Sequence, residues 1–426
     1  MKPYKTNSDD GIDLKRMVRA LRHRNYRLFF AGQGISLIGT WMQRIAMGWL
    51  VYRLTHSAFL LGLVGFTGQI PIFLLTPFAG VLADRLNRHR MLVVTQTLAM
   101  MQALALALLI LTGTIAVWHI VFLSIFLGFV DALDMPVRQS FLVEMIENRE
   151  DLGNAIALNS SIVNSARLIG PSIAGILIAY VGEGVCFLLN AISYLAVIAS
   201  LLAMKIVARR IESPGTDIFQ GVKEGFSYAF GFSPIRSVLL LISAVSLLGM
   251  PLTVLMPVFA GDILHGDSHT LGFLMGASGT GALVGAIYLA SRRKILGLEK
   301  WTALACGIFG VGLIVFSQSR NFWFSLLLML ITGFGMLVQM ASANTLLQAV
   351  VDEDKRGRVM SLYTMAFRGM VPFGSLLGGS LASKIGAPNT VLIGGASCVL
   401  GALLFTRTLP SMTKMVRSVY AKKGIV

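Results

Sequence analysis

The sequence predicts an all-α integral membrane protein with twelve transmembrane helices in two pseudo-symmetric six-helix halves. Three observations carry that prediction. The 426 residues are 55% hydrophobic and only 13% charged, with a mean hydropathy of +0.75, whereas soluble domains carry about a quarter charged residues. Apolar runs of about 20 residues, the length a bilayer core requires, recur along the whole chain. The basic residues behind the net charge of +16 flank those runs instead of forming one basic domain with interleaved aromatics, so they mark topology and not a nucleic-acid surface.

The runs lie at 28–53, 58–83, 91–112, 117–143, 153–181, 184–205, 236–260, 270–291, 301–317, 322–350, 358–384 and 387–408. With the N-terminus inside, the outer loops hold only Arg53, Arg320 and Lys384, and Arg44, Arg138, Arg167 and Arg368 lie within spans. The rest of the 36 bases then face the cytoplasm. The predicted organisation is a cytoplasmic tail over 1–27, an N-terminal half over 28–205, a cytoplasmic linker over 206–235, a C-terminal half over 236–408 and a cytoplasmic tail over 409–426. In the linker, Ile218, Val222, Phe226 and Phe230 recur at helical spacing, which predicts an amphipathic helix along the interface. The polar, basic start has no small-residue cleavage site behind a short apolar core, so no signal peptide is expected and the first span anchors the chain in an inner membrane.

The halves echo each other. Arg167 and Pro171 recur 201 positions on as Arg368 and Pro372, each an Arg-x-x-x-Pro in the fifth span of its half, and Ser160 recurs as Ser361. A twofold repeat about an axis normal to the membrane produces such spacing.

Charges inside spans are expensive and therefore functional by default. Asp131, Asp134 and Arg138 lie one helical turn apart on span four, Asp134 and Arg138 forming an i,i+4 pair of favourable polarity. Arg44 lies about 16 residues into span one, roughly 24 Å along a helix. Arg167 and Arg368 are nearly as deep. A guanidinium at that depth faces the bundle or a watery cavity and offers donors suited to carboxylate oxygens. Arg44 is read as binding substrate or coupling ion; Arg167 and Arg368 either do the same or bond carbonyls freed by Pro171 and Pro372. Small residues around Gly170 and Pro171 let span five approach a neighbour and flex. Cys186, Cys306 and Cys398 have no pairing pattern and read as core filler. Asp262, His265, Asp267 and His269 share an outer loop, more simply a solvated turn than a metal site because Gly266 separates the histidines. No His-Glu-x-x-His, Gly-x-Ser-x-Gly or Walker sequence is present, so neither an enzyme nor an ATP-driven pump is expected.

The stretch Gly80-x-Leu82-Ala83-Asp84-Arg85-x-x-Arg88-x-Arg90 resembles the loop between spans two and three of the major facilitator superfamily, with Asn87 where that pattern prefers glycine. Gly39 to Arg44, Asp134-Met135-Pro136, Asn154 to Ser160, Arg167 to Pro171 and Lys355 to Tyr363 are similar to the branch holding the enterobactin exporter and macrolide efflux pumps. The resemblance implies a proton-coupled antiporter that exports a small organic molecule by alternating access, without a bound cofactor, as a monomer among membrane lipid. A siderophore-like anion is the favoured substrate. Drug or macrolide efflux and lysophospholipid transport are alternatives on the same fold; a non-transporting receptor or an intramembrane enzyme is the alternative of another class.

The resemblance also implies roles. Gly80, Asp84, Arg85 and Arg88, with Asp131, Asp134 and Arg138, form the inner gate: Asp84 caps the start of span eleven, and Arg88 reaches Asp131 or Asp134. Gln33, Trp41 and Gln43 of span one and Gln339 and Asn344 of span ten line the central cavity beside Arg44, Asp131, Arg167 and Arg368. Gly170-Pro171 matches the spacing of the antiporter motif, which favours export. The arginine common in span four of such exporters is absent, its place taken by Ser124.

Overall fold

A computed structural model describes residues 18–205, 226–292, 297–352 and 355–422, with the side chains of 76–85, 149, 411, 415 and 417–422 outside the description. Most of the predicted linker is therefore outside the described residues. The regular structure of the described residues is all helical, with no strand. The helices are α1 (Arg24–Thr55), α2 (Ala58–Arg85), α3 (Arg88–Leu111), α4 (Val117–Glu144), α5 (152–181), α6 (183–202), α7 (Ser233–Ile263), α8 (Ser268–Ser291), α9 (Leu298–Gln318), α10 (Phe322–Val350), α11 (356–385) and α12 (Ala387–Lys422).

Each boundary has a local cause. The continuous stretch Leu152–Leu202 is broken at Gly182, whose φ of 79° only glycine adopts without strain, and this turn separates α5 from α6. Asn87 caps α3, its Oδ1 accepting from the Arg90 N–H at 3.0 Å. That bond accounts for an asparagine at the position where a glycine was expected. Asp267 caps α8 through the N–H groups of His269 and Thr270, and Asn321 caps α10 through Phe324. The last helix continues past the predicted end at 408, through Pro410, to Lys422.

Nine of the described helices are long and apolar enough to cross a bilayer, Leu152–Leu202 counting once although it is two legs. The two that fall short are informative. α1 carries Gln33, Gln43 and Arg44 in its middle, and α11 is interrupted by a π turn over Met365–Gly369 that contains Arg368. They bring Arg44 and Arg368 to the centre, where Asp131 of α4 and Arg167 of α5 join them.

An even number of crossings places both ends of the chain at one end of the bundle, here the terminal end; the other is the distal end. Across the two six-helix halves, contact is closest toward the distal end. A methyl group on Gly62 of α2 would meet the Gly379 Cα of α11 at 2.8 Å, and one on Gly175 of α5 would meet the Gly272 Cα of α8 at 2.8 Å. These two glycine-to-glycine seams are pseudo-symmetric counterparts, the second helix of each half against the fifth of the other. Phe373 of α11 meets Phe66 and Phe73 of α2 edge-on at 6.1 and 5.6 Å.

Candidate functional site

The centre of the bundle is organised on Trp41. A Cβ on Gly170 would lie 2.6 Å from the Trp41 Cβ, so only glycine lets α5 close on α1 there. The indole sits between two guanidiniums, with Arg44 at 4.7 Å and Arg167 at 5.6 Å from the ring centroid. Arg44 is exposed and Arg167 half-buried. Arg368 of the other half is exposed and directs Nη1 to the Met135 Sδ of α4 at 3.1 Å. None of these three arginines has an ion-pair partner among the described residues. Asp131 lies in the field of Arg44, Arg138 and Arg368 and is partly exposed.

The neighbouring carboxylate is different. Asp134 is 1% exposed and is held by Arg138 of its own helix, by the Thr95 hydroxyl at 2.8 Å and by Gln96 Nε2 at 2.7 Å. Every oxygen is engaged, so Asp134 and Arg138 tie α4 to α3, and Asp131 is left as the carboxylate open to the centre.

Toward the terminal end the halves part. Gln139 of α4, Ser160 and Ser161 of α5, Thr345 and Gln348 of α10, and Ser361 and Thr364 of α11 are all exposed inside the span. The Ser160, Ser161, Ser361 and Thr364 hydroxyls donate to carbonyls of their own helices and Gln348 donates to Asn344. Gln139 and Thr345, without such a bond among the described residues, need water, because hydrocarbon offers them no partner. They mark a cavity that opens at the terminal end. At the distal end it is shut: the Tyr52 hydroxyl of α1 donates to Asp262 of α7 at 2.5 Å, and the Ser268 hydroxyl of α8 donates to the Gly175 carbonyl at 3.1 Å. The Tyr52 ring fills the space beside Gly261, where any Cβ would collide with it.

Of the predicted site residues, Arg44, Trp41, Asp131, Arg167 and Arg368 come together. Asn344 is partly exposed on α10 and accepts from Gln348. Gln33, Gln43 and Gln339 do not line the cavity: all three are buried. Gln43 donates to Gln102 at 2.9 Å and accepts from Asn190 at 2.6 Å, a network joining α1, α3 and α6. Gln339 faces the packed interior with neither side-chain polar atom partnered.

Arg88 also differs from expectation. It pairs with Glu144 at 2.7 Å and not with Asp131 or Asp134. The start of α3 lies beside the end of α4, and Asp134 is ten residues, about 15 Å, deeper along α4. Arg88 thus braces two helices of one half. The side chains at Gly80, Asp84 and Arg85 fall outside the described residues, and the gate contacts expected of these three fall there with them.

Pro171 and Pro372 leave the carbonyls of Arg167 and Arg368 without helical partners. At the first, α8 packs over the freed carbonyl, a Cβ on Gly279 lying 3.4 Å from it, and α5 stays regular. At the second, the π turn Met365–Gly369 stands just before Pro372. The distal bond between Tyr52 and Asp262 was not among the predicted contacts; its one sequence signal is an acid at the end of an apolar run. Asp262, His265, Asp267 and His269 do not converge, and no group of three or more metal-ligating residues occurs among the described residues.

Residues 17–421 match the family of transmembrane secretion effectors. The chain belongs to the major facilitator superfamily, in that branch. It is 27% identical to the staphyloferrin A transporter of Staphylococcus aureus, over 89% of this chain and 95% of that one. It is 25% identical to the multidrug efflux pump Tap of Mycolicibacterium fortuitum, over 85% and 88%, and 21% identical to macrolide efflux protein A of Streptococcus pyogenes, over 90% and 96%. Among solved structures, a bacterial homologue of the iron transporter ferroportin in an inward-facing state superposes with a TM-score of 0.68 at 18% identity, over 91% of this chain and 98% of that one. A POT family transporter bound to a conjugated peptide gives 0.74 at 13% identity, over 92% and 97%. These solved structures share the fold. The protein is a multi-pass membrane transporter of small molecules.

Proposed function

We propose that this major facilitator exports a small organic anion, a siderophore-like carboxylate, in exchange for protons. The carrying observation is the charge of the central cavity: Arg44, Arg167 and Arg368 converge on it without ion-pair partners among the described residues, and Asp131 is the one carboxylate set among them. Arginine forks fit carboxylate oxygens, and the similarity to a protein named for staphyloferrin A favours the same substrate class. The basic loops support a terminal end that faces the cytoplasm of an inner membrane. The open cavity is then inward-facing, loaded from the cytoplasm and emptied when the seam between Tyr52 and Asp262 parts.

Asp131 is the proton carrier in this reading. In the inward-facing cavity Asp131 is ionised and the anion binds the arginines beside it; once the anion has left to the outside, Asp131 accepts a proton there, and the return to the inward-facing state releases that proton to the cytoplasm. The proton gradient supplies the energy, no cofactor is needed, and a monomer surrounded by lipid contains the whole pathway.

Two measurements test the reading. Deletion cells should accumulate a siderophore inside and lose it from the medium, by mass spectrometry; an unchanged medium contradicts the substrate assignment. If drug susceptibility changes instead, the relatives named for multidrug and macrolide efflux are the better guide. Purified protein in liposomes should show substrate-dependent proton flux, lost in Arg44→Ala; substrate transport without proton flux contradicts the coupling.

A further inference from the structure

A second basic site lies on the outside of the C-terminal half. α9 begins at Leu298 and the apolar stretch of α12 ends at Pro410, so the membrane interface at the terminal end passes through both points. Between them is a cavity of about 480 Å³ lined by Lys300, Leu409, Pro410, Thr413 and Lys414. Both lysines are exposed, and neither has an ion-pair partner among the described residues.

The acid next to this cavity is turned away from it. Glu299 is 3% exposed, its Oε1 accepts from the Thr413 hydroxyl at 3.3 Å, and its Oε2 is buried without a partner. It lies in the first turn of α9, where a helix N-terminus favours negative charge. Glu299 thus fixes Thr413 in the cavity wall without pairing with either ammonium group. The level is marked a second time by Trp301, whose ring meets that of Tyr288 at a tilt with centroids 4.9 Å apart and carries Arg292 over it at 5.3 Å, the aromatic and basic pairing of a membrane surface.

We propose that this cavity binds the phosphodiester headgroup of an anionic phospholipid. Lys300 and Lys414 supply charge for the phosphate, and Leu409 and Pro410 an apolar wall for the glycerol and upper acyl chain, with Thr413 holding Glu299 back from the lysines. A free phosphate would gain nothing from that wall, and the depth of the site puts a lipid phosphate within reach. None of the central arginines lies on α9 or α12, so this site is independent of the transport site.

The test uses the full chain reconstituted in an equal mixture of phosphatidylglycerol and phosphatidylcholine, with retained lipids read by native mass spectrometry. The wild type is expected to retain phosphatidylglycerol preferentially. Lys300→Gln/Lys414→Gln should weaken that retention roughly thirtyfold, the loss of two basic residues at a leaflet surface. Lys300→Arg/Lys414→Arg should keep it, and Lys384→Gln, at the distal end, should leave it unchanged. Both lysines are exposed, so an unaltered melting profile separates lost binding from lost folding. Equal retention of the two lipids by the wild type overturns the proposal, as does undiminished phosphatidylglycerol in the double glutamine variant. Displacement of the lipid by millimolar inorganic phosphate also overturns it, in favour of a free-anion site.

Discussion

The two halves share a fold but divide the work. In the N-terminal half, buried polar groups are joined into networks, Gln43 to Gln102 and Asn190, and Asp134 to Thr95, Gln96 and Arg138, with Gln96 Oε1 and Arg138 Nε the atoms of these networks left over. In the C-terminal half, Gln339, Ser342 and Ser246 are buried with side-chain atoms that have no partner. The ionisable groups follow the same division, with Arg44, Asp131 and Arg167 on one side of the cavity and Arg368 alone on the other. A satisfied network rigidifies, whereas an unsatisfied one stores free energy that another arrangement could recover. The π turns follow the same division: among the described residues they lie in α7 and α11 of the C-terminal half.

Four substitutions break or sharpen this contrast. Asp131→Asn has the largest expected effect: it abolishes proton-driven transport in liposomes while leaving the melting temperature close to that of the wild type, since Asp131 makes no packing network of its own. Next, Gln43→Leu strands Gln102 and Asn190 and should cost about 2–4 kcal/mol in denaturant unfolding. Gln339→Leu removes a group whose polar atoms have no partners, and should be neutral or stabilising; an equal loss in both variants would erase the difference between the halves. Tyr52→Phe removes one bond from the distal seam, worth about 1–1.5 kcal/mol, and should shift the population toward the distally open state by about tenfold. Accessibility to an impermeant maleimide of a cysteine at Ser268, which is buried in the closed seam and close to cysteine in size, reads that shift when compared with and without Tyr52→Phe.

The smallest effect belongs to Asp267. Burial pushes its carboxyl up, but the His269 ring and the N–H groups of Thr270 and His269 outweigh it and hold the pKa below the usual carboxylate range. A group depressed by folding stabilises above its unfolded pKa and loses that contribution as pH falls through the folded one. Asp267→Ala should therefore cost about 1 kcal/mol at neutral pH, and the gap between variant and wild type should close in acid, below about pH 4.

Much of this was legible in the sequence, and the parts that were not share a cause. The helices, the break near Gly182 and the depth of Arg44, Arg167 and Arg368 follow from hydropathy and length, which are local. Whether a polar residue in a span faces a cavity or a partner is not local. Gln43 looked like a cavity residue because Asn190, 147 positions away, is invisible to a reading of α1 alone. Arg88 was assigned the wrong acid because residue type on α4 says nothing of depth relative to α3, and Glu144 is at the matching level. Tyr52 and Asp262 are 210 positions apart and meet only because the halves close at the distal end.

The central claim is that Asp131, set among Arg44, Arg138 and Arg368, exchanges a proton for an anionic substrate. It is tested most directly in liposomes carrying a pH-sensitive dye, with a carboxylate siderophore as the probe, comparing wild type with Asp131→Asn. The account predicts that the variant still binds the probe by thermal shift and that its substrate-dependent proton flux falls to the level of empty liposomes. Proton flux in Asp131→Asn equal to that of the wild type would contradict it.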